Sequence, residues 1–166
     1  MEPWELWIRS TVLSQYVLTN RGWLWPICET LHFVGLSLLV GTVGLFDLRV
    51  LGVARAIPPI ALHRFIPWGV AGYSLNLATG TLFFFGFPDQ YAYNTAFHFK
   101  LAFMILAGLN VALFYSVAFV GVRATPAGGQ APLAARALTA ISLLSWTGVI
   151  VCGRLLTFYR PGFMHH

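Results

Sequence analysis

Four apolar runs, each close to the length of a membrane crossing and nearly free of charge, constrain this chain more than any other feature. A run of about 18 or more apolar residues crosses the roughly 30 Å of hydrocarbon in a bilayer as a helix, because no water is present there to satisfy free backbone groups. The runs fall at about residues 25–48, 68–87, 95–122 and 137–159. With 58% hydrophobic and only 9% charged residues among 166, the chain has too few polar groups to cover a soluble globule. The expected fold is all-α: a transmembrane four-helix bundle in one membrane domain spanning residues 1–166.

Residues 3–19, PWELWIRSTVLSQYVLT, set Trp4, Trp7, Ile8 and Val12 near one helical face and Glu5, Arg9 and Gln15 elsewhere. That pattern predicts an amphipathic helix lying in the membrane interface. The first 20 residues lack a long apolar core followed by a small-residue cleavage site, so they are not read as a removable signal peptide. Pro26 falls in the opening turn of the first span, where a missing amide donor costs little. In the second span Gly69, Gly72, Tyr73, Asn76 and Gly80 recur at three- and four-residue steps. Small residues at that period let a neighbouring helix approach closely, and Asn76 can hydrogen-bond across the contact. TPAGGQAP, within residues 123–136, reads as the most flexible connection.

The first and third connecting segments hold Arg49, Arg55, Arg64, Arg123 and Arg136, and the second holds no Lys or Arg. By the positive-inside rule both termini lie outside, which is the periplasmic face of a bacterial inner membrane. The formal charge of +5 is scattered, without the dense basic cluster that phosphate tracking requires. Lipid phosphate therefore explains the excess better than nucleic acid does. Cys28 and Cys152 have neither the CxxCH spacing of covalent haem attachment nor the paired spacing of a zinc site, and read as small buried hydrophobes. His165 and His166 follow a turn signal and are given no role.

In this topology the polar residues of the spans converge on one layer near the outer face. Glu29 and His32 lie up to about 10 Å below the outer end of the first span, at 1.5 Å per residue. His98 and Lys100 enter from the same face on the third span, and Arg154 reaches that level near the end of the fourth. Ionisable side chains at membrane depth are costly and mark function by default. Arg154 is expected to pair with Glu29 or with an anionic cofactor group. Lys100 stands roughly 200° round the helix from His98 and is expected to snorkel to the headgroups. His63, near the opposite face, reads as a loop or interfacial histidine without a ligand role.

The motifs WLWPICETLHFVGLSLLVGTVGLFDLRVLG, ALHRFIPW, AFHFK and GVIVCGRLL together resemble an uncharacterised family of small four-span bacterial inner-membrane proteins, a domain of unknown function. The likeness runs from about residue 23 to 156 and is most specific at ETLHFVGL. More distantly, the chain is similar in style to copper-resistance membrane proteins of D type and to four-helix b-type cytochromes. Those resemblances imply a metal or haem held by histidines of different helices.

The leading expectation is an electron-transfer protein or subunit with one haem b between His32 and His98, exchanging electrons with quinol or a periplasmic carrier. Gly35 and Ala102 leave room beside the ligands, Phe33, Phe97 and Phe99 can flank the ring, and Arg154 suits a propionate. The alternative is a copper or zinc site built from Glu29, His32 and His98. A third reading is a non-catalytic scaffold or accessory subunit of a larger membrane complex, in which the polar layer only locks the helices.

Overall fold

In the computed structural model, residues 2–159 are described, and all regular structure among them is helical. Two short helices open the chain where one was expected. α1 (Pro3–Ser10) stops at Thr11, whose backbone is extended at φ −68° and ψ 146° and whose hydroxyl accepts from the Ser14 amide at 3.3 Å to start α2 (Val12–Thr19). Their inward residues are Glu5, Ile8, Ser14 and Val17, while Trp7 and Val12 face outward at 68% and 85% exposure. Apolar residues thus face both ways: Ile8 turns inward with Val17, away from the outward Trp7 and Val12 whose face it was expected to share.

α3 (Arg21–Leu51) begins four residues before the apolar run, so Pro26 lies inside the helix and not in its first turn. The ring of a mid-helix proline crowds the carbonyl four residues earlier, here that of Gly22, and deletes one ladder bond. Gly52 ends α3 in the left-handed region at φ 113°, where glycine carries no Cβ penalty. α4 (Pro59–His63) and α5 (Ile66–Gly86) follow, then α6 (Pro88–Ala92) within the tyrosine-rich turn. α7 (Thr95–Leu113), capped by Asn94 on the Ala96 amide at 3.0 Å, runs through a π-helical turn (Phe114–Ala118) into α8 (Phe119–Arg123). α9 (Leu133–Leu155) starts directly after Pro132.

Three helical rods are long and apolar enough to cross a membrane: Arg21–Leu51, Thr95–Arg123 and Leu133–Leu155. α5, 21 residues long and rich in glycine, lies along α3. Glycine explains how closely. A Cβ on Gly72 would stand 2.5 Å from the Gly35 carbonyl oxygen, and one on Gly69 would stand 2.5 Å from Thr42 Oγ1. Asn76, with its amide oriented to satisfy both groups, donates to the His32 carbonyl at 2.6 Å and accepts from the Leu36 amide at 3.0 Å. The small-residue stripe of α5 is therefore the seam with α3, closed by the asparagine. α9 packs on α7 and α3, with Asn110 of α7 donating to the Leu138 carbonyl at 3.0 Å.

The connections sort to two ends. Gly128 N–H donates to the Arg55 carbonyl at 2.7 Å, and Arg49, only 1% exposed, donates to the carbonyls of Ile57, Arg55 and Gly129. These bonds pin the glycine-rich connection that read as flexible. Beside them lies the buried cluster of Phe46, Val50, Phe114, Val122, Ala135 and Leu138. At the other end Arg9 pairs with Asp89 at 2.6 Å, Ser14 donates to the Phe85 carbonyl, and Asn94 donates to the Leu156 carbonyl. Glu5 sits there under Tyr93, and a hydrogen bond to it pushes the phenol's pKa up. Between the two ends large apolar side chains such as Leu45, Val70, Leu77, Ile105, Leu109, Val117, Val120 and Leu144 face outward. Such a belt suits hydrocarbon rather than water.

Candidate functional site

The outer layer expected from sequence is present in part, with its members turned differently. His32, half-buried, points to α5: its Nδ1 is 2.7 Å from Thr79 Oγ1, and its ring packs on Phe83 at 5.6 Å. Thr79 passes its own proton to the Leu75 carbonyl at 2.8 Å, so the pair is read with the His32 N–H donating to the hydroxyl oxygen. Glu29 is exposed and accepts from Trp25 Nε1 at 3.0 Å. Arg154 is exposed and lies over the Phe158 ring at 5.5 Å. No Glu29–Arg154 ion pair forms among the described residues.

His98 and Lys100 exchange the roles given to them. His98 is exposed, and its ring has no hydrogen-bond or aromatic partner among the described residues. Lys100, about 200° round α7, turns inward instead, within electrostatic reach of His32 and Cys152 and close to Gly153. A bis-histidine haem needs two imidazoles facing one slot. As placed, His32 looks to α5 and His98 looks outward, so they offer no such slot. Nor do the residues fit a copper or zinc site. No group of three or more His, Cys, Asp or Glu side chains gathers closely enough to hold a metal among the described residues. No chemical step is therefore assigned to a metal or haem.

A different site lies between the helices, from mid-depth toward the arginine-rich end. Asp47 of α3 is 3% exposed, and its Oδ2 has no hydrogen-bond partner. It faces a cavity of about 320 Å³ walled by α3, α5, α7 and α9. Ser142 lies beside the carboxylate, and the Trp146 indole N–H is a second buried polar group without a partner on the same wall. A buried carboxylate oxygen and a buried donor left unmet each carry a desolvation cost of about 1–3 kcal/mol or more. Native interiors rarely retain two such groups on one cavity without a use for them.

Local structure explains the wall. Gly69 and Gly72 bring α5 against α3. The π-helical turn adds a residue to the turn of α7 that carries Phe114 and Tyr115, a distortion frequent at functional sites. Tyr115 hydroxyl and His63 Nε2 stand 2.9 Å apart, and the His63 ring packs against Phe46 and Phe119 at 5.6 and 4.7 Å. Burial pushes the His63 pKa down. On the side of α5 and α7 the wall is open, since these helices make no extended contact with each other. Val70 and Val111, one on each helix, line the cavity and are 58% and 43% exposed.

Asp47 was legible as an acidic residue at the very end of an apolar run. Its neighbour Arg49 hid it, because an Asp-Leu-Arg step reads as a charged helix end. The structure separates the two: Arg49 turns to the loop carbonyls and leaves Asp47 without a cation.

No protein-family model, no curated protein and no solved structure matches this chain. Fold and site together define an all-helical protein with rods of membrane-crossing length around a largely apolar cavity that holds one buried carboxylate.

Proposed function

We propose that the protein is a four-span inner-membrane protein of bacteria that binds a small, membrane-dissolved molecule in the cavity around Asp47, admitted sideways between α5 and α7. The carrying observation is the pair of unmet polar groups, Asp47 Oδ2 and Trp146 N–H, on one otherwise apolar and aromatic cavity. Pockets for small molecules have this make-up, and their volumes begin at about 300 Å³.

Several features support the membrane placement. At 1.5 Å per residue, 21 residues of α5 reach about 32 Å, one hydrocarbon thickness. Its exposed Trp68, Val70 and Leu77 suit lipid beside the three rods of membrane-crossing length. Arg49, Arg55, Arg64, Arg123 and Arg136 gather at one end, which the positive-inside rule assigns to the cytoplasm and which sends both termini to the periplasm. The outward Trp4, Trp7 and Tyr16 of α1 and α2 then sit at headgroup level on the periplasmic side.

Toluene uptake tests the reading. Equilibrium dialysis into nanodiscs carrying the protein, corrected against protein-free nanodiscs, is expected to give saturable binding of one molecule per chain. A Cβ on Gly108 meets nothing within 4 Å, so Gly108→Phe is accommodated at the open side and is expected to abolish binding while helicity is retained. Uptake by the wild type no greater than by protein-free nanodiscs overturns the proposal.

A further inference from the structure

We infer that the occupant of this cavity is a lipophilic cation, with Asp47 as its counter-charge and the aromatic wall as its platform. The inference rests on the binding role proposed above and adds the chemical class of the ligand.

The charge inventory of the cavity carries it. No Lys, Arg or His lines the cavity among the described residues, so Asp47 is its sole formally charged group. The nearest cation along the chain, Arg49, turns its Nε and Nη2 to the carbonyls of Ile57, Arg55 and Gly129 and forms no ion pair with Asp47, although its own buried Nη1 has no partner. His63 meets Phe46, Phe119 and Tyr115, and its ring nitrogen is occupied by the Tyr115 hydroxyl. A buried carboxylate is stabilised by a partner of opposite charge, and none stands within ion-pair distance of Asp47 among the described residues.

The wall is shaped for an organic cation rather than a bare ion. Tyr73 and Trp146 present rings 6.1 Å apart at 71°, and Phe114 stands edge-on to both Phe46 and Tyr115, at 5.8 and 5.6 Å. Aromatic faces attract ammonium groups through their quadrupoles, most strongly where water is excluded. An inorganic cation needs a shell of oxygens instead. The wall offers one carboxylate, and no group of three or more His, Cys, Asp or Glu side chains gathers there among the described residues. The side opening between α5 and α7 selects for a body that dissolves in hydrocarbon.

Two probes of the same shape separate charge from fit: phenyltrimethylammonium, permanently cationic, and tert-butylbenzene, its neutral carbon isostere. Both are titrated into the full chain in nanodiscs, with partition into protein-free nanodiscs subtracted. The wild type is expected to bind the cation at least tenfold more tightly than the isostere. Asp47→Asn is expected to lose that preference and keep the isostere, which also shows that the variant is folded. Trp146→Leu is expected to weaken the cation by more than the isostere. Equal wild-type affinities overturn the cation inference and leave the binding role standing, whereas binding of neither probe overturns both. Retention of the full preference by Asp47→Asn removes Asp47 as the counter-charge and overturns the inference as stated.

Discussion

Replacing Gly72 by alanine strikes the contact on which the geometry of the whole cavity depends. The new Cβ would stand 2.5 Å from the Gly35 carbonyl oxygen and 2.9 Å from the Leu39 amide, both backbone atoms that cannot rotate away. Ordinary contact begins at 3.4 Å, so α3 and α5 must part by roughly 0.9 Å. Such a shift would take the His32–Thr79 contact from 2.7 Å beyond hydrogen-bond range and stretch the paired bonds of Asn76. Overpacking of this kind costs about 1–3 kcal/mol, interhelical hydrogen bonds in bilayers average about 0.6 kcal/mol each, and alanine returns about 0.8–1.0 kcal/mol of helix propensity. The net expectation is a destabilisation of about 1–3 kcal/mol. Gly41→Ala supplies the control, because its Cβ meets nothing within 4 Å and only the propensity gain remains. Unfolding of both variants by sodium dodecyl sulfate in mixed micelles, followed by tryptophan fluorescence, measures the difference. If the two variants agree within about 0.5 kcal/mol, the close crossing at Gly35 and Gly72 does not hold these helices together.

Arg49→Met removes three charge-assisted bonds to loop carbonyls and is expected to cost about 2–4 kcal/mol. Faster hydrogen exchange should appear in both residues 52–58 and 125–130, and unchanged exchange in the second stretch would refute the pinning role. Because burial lowers the His63 pKa below 6.5, the unfolded chain binds the extra proton first as the medium is acidified. The contribution of His63 is therefore complete above pH 6.5 and is lost as pH falls through its folded-state value; His63→Gln should flatten that slope, and an unaltered slope would assign it to other groups. A reporter active only in the cytoplasm should work when inserted within residues 125–130 and fail at the C-terminus; the opposite pattern inverts the proposed topology.

The helical class, the positions of the long apolar rods and the single-sign charge of the arginine-bearing connections were all determined by the sequence, because each depends on local composition. Apolar residues in runs of membrane length admit little besides helix, whatever surrounds them. The glycine stripe of α5 was legible for the same reason: Gly69, Gly72 and Asn76 share a face by helical periodicity alone. The rotation of each helix about its own axis and the choice of neighbours were decided only by tertiary packing. That rotation turned His98 outward and Lys100 inward, two residues apart on α7, and it set His32 against Thr79. Pairing of α3 with α5 and α9 likewise turned Asp47 onto a cavity, while Arg49 met the loop carbonyls. In hydrocarbon all sides of an apolar helix cost nearly the same, so hydropathy leaves its rotation free; glycine crossings and a few buried hydrogen bonds fix it, and these depend on residues far apart in the chain.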